Sequence, residues 1–138
     1  MSVTDSGIIE NETGTQRLIG YVLDVGQSDH RARCHLTLTE AHLNRHGVLH
    51  GGIAATLLDN ALGATASLTV DASGRAPFLT ISLNTNFIAA AKEGAKLTAI
   101  GRVIGGGRSL LFLEGELTED EGRTIARASG VFNRVPQN

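Results

Sequence analysis

One apolar helical segment, residues 50–67, lies among segments that are otherwise patterned as strands. It contains no proline, is rich in alanine and leucine, and has Ile53 as its one β-branched aliphatic residue, so its composition favours a helix. Apolar residues fall on all sides of this helix, which predicts burial over most of its surface. The rest of the chain must therefore pack around it.

Alternating segments typical of strands precede and follow this helix. Residues 18–25 and 32–38 are predicted as the first two strands, and the later ones are predicted at residues 78–88, 96–104, 109–118 and 124–135. Short gaps with glycine separate the later segments and suit antiparallel hairpins. The order predicts an α+β fold in which a curved antiparallel sheet of about six strands wraps around one central helix. Exposed edge strands of such a sheet are usually paired, which predicts a homodimer.

The properties of the whole chain exclude several classes of protein. Its 138 residues suffice for one domain, predicted over residues 15–138, after a polar and flexible leader at residues 1–14. A formal net charge of −2 gives no reason to expect nucleic acid or an anionic membrane as a partner. No apolar segment is long enough to span a bilayer. The lone cysteine, Cys34, suits a reducing cytoplasm and is expected in the core.

After His50, the helical segment carries a single ionisable side chain, Asp59. Its neighbours Leu58 and Leu62 are apolar, and burying a carboxylate among such residues is costly. An aspartate that faces solvent is the ordinary alternative. We expect Asp59 to be a buried carboxylate that acts as a general base or nucleophile.

Two glycines open the helix directly after His50. The first backbone N–H groups of a helix have no partner within the helix, and the helix dipole makes them better donors. Gly51 and Gly52 are therefore candidates to polarise a carbonyl and hold an oxyanion, although a tight turn would also place glycines here.

The spacing of His50 and Asp59 separates them in space. They are nine residues apart, which places them ~180° apart around a helix and ~13 Å apart along it. One helix cannot easily direct both groups at the same substrate atom. If both take part in catalysis, the site is shared between two subunits.

Two other patterns are weaker. His42, His46 and His50 recur every fourth residue, but glycines interrupt any helix that would align them, so no metal site is predicted. Residues 105–107 are glycines followed by Arg108, without the lysine of a phosphate-binding P-loop. They predict a hairpin turn that presents Arg108, either as a plain turn or as a phosphate contact.

A longer motif unites these features. It consists of Asn44, Gly47, His50, Gly51 and Gly52, followed by Asp59 and Asn60. It resembles the hot-dog-fold acyl-CoA thioesterases of the phenylacetate-degradation (PaaI-like) type, over nearly the whole chain from about residue 16. The resemblance implies a hot-dog fold and hydrolysis of an aryl-acyl or medium-chain CoA thioester to free acid and CoA. It also implies no cofactor and no metal, and a homo-oligomer (a dimer or a dimer of dimers) with shared active sites.

The resemblance also implies roles for individual residues. The Gly51 N–H and the Asn44 side chain would bind the thioester carbonyl. Asp59 of the opposing subunit would activate water or attack directly, and Thr80 would orient that water. His50 would orient Asn44 or the thioester sulfur.

Further residues are implied as contacts to the substrate: Gly52, Lys92, Gly107, Arg108 and Ser109. Two departures from the family concern acyl specificity. Many relatives have an additional N-terminal helix beside the acyl pocket, where this chain has a short polar leader. Many also have a proline after the first strand that follows the helix, where this chain has alanines at residues 89–91.

Two alternative functions are considered. An enoyl-CoA hydratase of the same fold pairs an acid and a histidine in one loop-helix segment, which the spacing of His50 and Asp59 fits poorly. A non-catalytic acyl-CoA binding domain is the second, and the presence of Asn44, Asp59 and Thr80 argues against it.

Overall fold

The computed structural model describes residues 7–136. The strands in these residues are β1 (Ile8–Ile9), β2 (Val22–Asp24), β3 (Arg33–Thr37), β4 (Phe78–Phe87), β5 (Lys96–Gly106), β6 (Leu110–Glu119) and β7 (Thr124–Arg134). The helices are α1 (Gly14–Ile19) and α2 (Gly51–Leu68), with a short 3-10 turn at Glu40–His42. In this part of the chain, neither helix is long and apolar enough to cross a membrane.

The strands form one antiparallel sheet in the order β1-β2-β3-β5-β6-β7-β4, and α2 contacts every strand from β3 to β7. Leu57, Leu58, Ala61 and Leu62 of α2 are completely buried. At Gly101 in β5, a Cβ atom would lie 2.5 Å from Thr65 Oγ1 and 2.7 Å from the Ala61 carbonyl oxygen. Helix and sheet can approach this closely only because position 101 has no side chain.

Most of the predicted elements are confirmed. The helix predicted over residues 50–67 is α2, and its bounds differ by one residue at each end. The strands predicted after it are β4 to β7, and residues 32–38 contain β3. Cys34 is completely buried in the core, as expected, and burial raises the pKa of its thiol.

The segment before β3 corrects two predictions. Part of the strand expected at residues 18–25 is instead α1, because Thr13 Oγ1 caps its first turn by accepting from Gln16 N–H and Gly20 ends it at φ 91°. The flexible leader is also wrong for residues 7–14, where β1 pairs with β2 and Ile9 is 1% exposed. The remainder of that leader, residues 1–6, lies outside the described residues.

The strand β4 lies at one end of the sheet and pairs with β7 along its other side. Leu79, Ile81 and Phe87 on or beside this edge are between 57% and 63% exposed. A long edge with apolar side chains is unfavourable in water unless another strand covers it. This edge borders the site described next.

Candidate active site

The first turn of α2 is capped by His50. Its Nδ1 atom accepts a hydrogen bond from Gly52 N–H at 2.8 Å. Because Nδ1 is an acceptor here, the neutral ring carries its proton on Nε2. A Cβ atom at Gly52 would lie 3.0 Å from the imidazole, so glycine lets the ring fold back over the helix. The Gly52 amide, one of the two predicted donors to an oxyanion, is therefore already bonded to His50.

Gly51 keeps its amide available. Among residues 7–136, none accepts a hydrogen bond from Gly51 N–H. This group lies at the positive end of the α2 dipole and is a donor to a ligand oxygen. Of the two predicted amides, only that of Gly51 can serve without breaking the His50 cap.

Asn44 is held in a tight turn before the helix. Its Oδ1 atom accepts from His46 N–H at 2.9 Å and from Val48 N–H at 3.3 Å. Gly47 has φ 76°, a conformation that favours glycine and lets the turn close. With Oδ1 engaged, Nδ2 is the group that Asn44 can offer to a substrate oxygen.

His42 fixes this turn to the body of the protein. Its side chain is buried: Nδ1 accepts from Thr39 N–H at 2.9 Å, and Nε2 donates to the Ile19 carbonyl at 2.7 Å. Its own carbonyl accepts from His50 N–H at 2.9 Å. The sequence indicated His42 only as a rejected metal ligand. Its bond to Ile19 joins two distant segments, and no local pattern reveals such a contact. Within residues 7–136, no group of three His, Cys, Asp or Glu side chains could hold a metal ion.

Asp59 and Thr80 form the second part of the site. Thr80 Oγ1, on β4, donates to Asp59 Oδ1, on α2, at 2.6 Å. Asp59 is half-buried in the single chain and Thr80 is exposed, so the expectation that Asp59 is buried is wrong for the isolated subunit. The physical reason is that β4 is an edge strand, so this side of α2 has no cover. A short hydrogen bond to a carboxylate is strong and fixes its orientation.

Tyr21 and Asn60 form a hydrogen-bonded pair next to Asp59, and this pair was not predicted. Tyr21 Oη donates to Asn60 Oδ1 at 3.1 Å, and Asn60 Nδ2 donates to the Thr56 carbonyl at 2.8 Å. Burial raises the pKa of the Tyr21 hydroxyl, which keeps it a proton donor. Asn60 is thereby fixed beside Asp59.

Two clefts meet at Asp59 and Asn60. One, of about 540 Å³, extends along the C-terminal half of α2 and is lined by Gly63, Arg75, Phe78 and Phe132 among others. The other, of about 550 Å³, lies between α1 and the middle of α2. The N-terminal segment contributes Thr13 to both clefts. A short helix that the sequence did not predict, α1, therefore borders the second cleft.

The predicted substrate contacts lie at opposite ends of α2. Lys92 is exposed and forms a β-bridge with Val48, beside the helix N-terminus. Residues 107–109 connect β5 to β6 and are exposed, and the Ser109 carbonyl accepts from Arg134 N–H near the start of β4. The hairpin turn predicted to present Arg108 is confirmed. One chain does not bring it together with Lys92.

The predicted separation of Asp59 from the start of the helix is present in the structure. Gly51 and Asp59 are eight residues apart on one continuous helix, or about 12 Å along its axis. The structure therefore brings Asp59 and Thr80 together, and separately groups Asn44, His50, Gly51 and Lys92.

Comparisons with known proteins identify the family to which the chain is similar. Residues 46–126 match the family model described as the thioesterase superfamily. The chain is 31% identical over 113 residues to human acyl-coenzyme A thioesterase 13, covering 81% of this chain and 79% of the relative.

Solved structures confirm the fold. The E. coli PaaI protein from the phenylacetic acid degradation operon superimposes with a TM-score of 0.77 at 20% identity, covering 92% of this chain and 88% of that one. A hypothetical thioesterase from Streptococcus pneumoniae, solved with coenzyme A, superimposes with a TM-score of 0.67 at 25% identity, covering 78% and 83% of the two chains. The sheet wrapped around one long helix is the hot-dog fold.

Proposed function

The chain belongs to the thioesterase superfamily, and from this we propose that it hydrolyses acyl-CoA thioesters to a free acid and CoA. The similarity to human acyl-coenzyme A thioesterase 13 supports this substrate class. The observation that carries the proposal is the Asp59–Thr80 hydrogen bond on a helix whose Gly51 amide is a free donor. Aryl-acyl and medium-chain acyl groups are the proposed substrates, and a cytoplasmic location stays a prediction.

The Asp59–Thr80 pair suits the activation of water. Since the Thr80 hydroxyl hydrogen is directed at Asp59, Thr80 Oγ1 can act toward water only as an acceptor. A water molecule between them donates one hydrogen to Asp59 and one to Thr80, which leaves its lone pairs facing the thioester. Asp59 acts as the general base and removes a proton as the water oxygen bonds to the carbonyl carbon.

Donors at the helix N-terminus complete the reaction. Gly51 N–H and Asn44 Nδ2 stabilise the negative oxygen of the tetrahedral intermediate. Collapse of that intermediate breaks the C–S bond, and the proton held by Asp59 passes to the departing CoA thiolate. His50 caps the helix through Nδ1, and its Nε2–H is the group that would orient Asn44 or the thioester sulfur.

The reaction requires two chains. Gly51 and Asp59 are about 12 Å apart along the helix, whereas a single carbonyl group needs both within hydrogen-bond reach. We infer a homodimer in which Asp59 of one subunit faces Gly51 of the other. The exposed apolar edge at Leu79 and Ile81 supports pairing through β4. A dimer of dimers remains the predicted larger assembly.

The same reasoning applies to CoA. Lys92 and Arg108 lie at opposite ends of α2, which favours contacts to one CoA molecule from two different chains. Lys92 lies at the same end of α2 as Gly51 and Gly52, so these three residues would contact the substrate from one subunit. Arg108, between Gly107 and Ser109, would meet the phosphates from the other subunit.

Replacement of Asp59 tests the proposal. Asp59→Asn is expected to lower kcat for thiol release from acyl-CoA by about 10²- to 10⁴-fold, the usual contribution of a general base, with Tm and substrate affinity unchanged. Asp120→Asn, at an exposed carboxylate on the β6–β7 turn, is the matched control. Undiminished hydrolysis by Asp59→Asn would contradict the mechanism. Tight binding of acyl-CoA without turnover by the unmodified protein would instead indicate a binding domain.

A further inference from the structure

An ion pair lines the cleft that runs from Asp59 along the C-terminal half of α2. It joins Glu12, in the N-terminal segment, to Arg75, in the connection from α2 to β4, with 2.7 Å between Oε2 and Nε. Both side chains line the cleft and are less than 40% exposed. We refer to this pair as the arch and to the cleft beneath it as the arched cleft.

The arch is held in place from both sides. On one side, the buried Gln16 side chain accepts from Glu12 N–H at 3.0 Å and donates to the carbonyls of Ile9 and Tyr21. On the other side, the Ser67 hydroxyl donates to the Ala76 carbonyl, next to Arg75. Both ends of the arch are thus anchored to regular structure, as expected for a fixed wall.

The position of the arch along α2 defines the length of the arched cleft. Ser67 lies eight residues after Asp59 on α2, or about 12 Å along the helix axis. Because the Ser67 hydroxyl bonds the residue after Arg75, the Arg75 end of the arch lies toward the C-terminal end of α2, away from the carboxylate that activates water. Among the residues that line the other cleft, no ion pair crosses the opening.

A thioester carbonyl at Asp59 has two substituents that must leave in different directions. The CoA portion is long and charged, so it requires the open side. We propose that the acyl group occupies the arched cleft, and that Gly63 and the Glu12–Arg75 pair determine which acyl groups fit. This inference rests on the proposed thioesterase function and specifies its substrates as aromatic and medium-chain acyl groups.

Gly63 widens the middle of the arched cleft. It lies one turn after Asp59, in the same cleft as the rings of Phe78 and Phe132. A Cβ atom at Gly63 would lie 3.5 Å from Phe132, an ordinary contact, so an alanine fits without strain. Glycine within a helix is less favourable than alanine, and the missing side chain leaves this part of the cleft wider, which suits a flat acyl group.

Two variants change the cleft in opposite directions. Gly63→Ala narrows it and is expected to keep or raise Tm, since alanine is the better helix former. We expect kcat/KM for phenylacetyl-CoA to fall about tenfold or more, while that for acetyl-CoA changes less than about twofold. Arg75→Gln removes the arch and is expected to raise kcat/KM for palmitoyl-CoA about tenfold relative to hexanoyl-CoA.

The control is Arg123→Gln, which breaks the ion pair of Arg123 with Glu119 on the β6–β7 turn. It should leave the acyl preference unchanged. An acyl preference that stays the same in both Gly63→Ala and Arg75→Gln, with thiol release intact, would overturn the placement of the acyl group. If Arg75→Gln does not fold, the ratio of phenylacetyl-CoA to acetyl-CoA hydrolysis in Gly63→Ala decides the question. Absence of thiol release from every acyl-CoA in the unmodified protein would contradict the proposed function itself.

Discussion

Replacing Thr80 by valine isolates the hydrogen bond on which the activation of water depends. Valine has nearly the same shape as threonine and an equal preference for strands, so β4 should keep its conformation. What is lost is the hydroxyl that donates to Asp59 at 2.6 Å and accepts from the attacking water. The change therefore alters the surroundings of the Asp59 carboxylate without removing the carboxylate.

The size of the effect follows from the type of bond. A hydrogen bond to a charged group contributes about 1.5–3 kcal/mol, and the exposure of Thr80 favours the lower end in an isolated subunit. A second subunit that covers the β4 edge shields this hydrogen bond from water and raises its contribution. Since about 1.4 kcal/mol corresponds to a tenfold change in rate, kcat should fall about 10- to 100-fold.

Steady-state thiol release from phenylacetyl-CoA measures this effect. Thr80→Val should lower kcat with little change in KM or Tm, and Thr80→Ser should recover most of the loss. Thr118→Val, on β6, is a control on another strand. A kcat for Thr80→Val equal to that of the unmodified protein would refute a role for the hydroxyl in water activation.

Variants at three other positions test separate parts of the structure. Gly101→Ala should lower the free energy of unfolding by about 1–3 kcal/mol in denaturant titrations, because its Cβ would lie 2.5 Å from Thr65 Oγ1; an unchanged midpoint would contradict the close approach of helix and sheet. His42→Ala should lower kcat more than it raises KM, since the Asn44 turn loses its side-chain anchors to both Thr39 and Ile19. His42→Asn should recover part of the rate, because it keeps an acceptor for the Thr39 amide; equal rates in the two variants would argue against positioning. Arg108→Met should raise KM for acyl-CoA about tenfold but leave hydrolysis of an acyl-pantetheine unchanged, and an equal effect on both would exclude a phosphate contact.

The sequence identifies α2 and the later strands because each repeats a strong local pattern over ten or more residues. α1 is missed because only a short Thr13 cap and Gly20 mark it, and its Leu18 is an apolar residue that is 85% exposed. β1 has two residues, and only its pairing with β2 makes it a strand. Local pattern cannot indicate elements that depend on such distant partners.

The same distinction between local pattern and distant contacts applies to the candidate site. The separation of Gly51 from Asp59 follows from helix geometry alone and is retained in the structure. The half-exposure of Asp59 depends on which strand ends the sheet, and the ring contacts of His42 depend on the end of α1. These are tertiary contacts, so they had to come from the structure.

The central inference is that one active site combines Asp59 of one chain with Asn44 and Gly51 of another. Two inactive variants, Asp59→Asn and Asn44→Ala, test it when they are co-expressed with different tags and the mixed dimer is purified. If the sites are shared, one of the two sites in each mixed dimer contains both defects and the other contains neither.

The measurement is the kcat for thiol release by the purified mixed dimer, per dimer, beside the two parent variants. A shared site predicts recovery to about half of the unmodified activity, because one of the two symmetry-related sites is intact. A mixed dimer as inactive as its parents would mean that Asp59 and Asn44 act within one chain, and would contradict the shared active site.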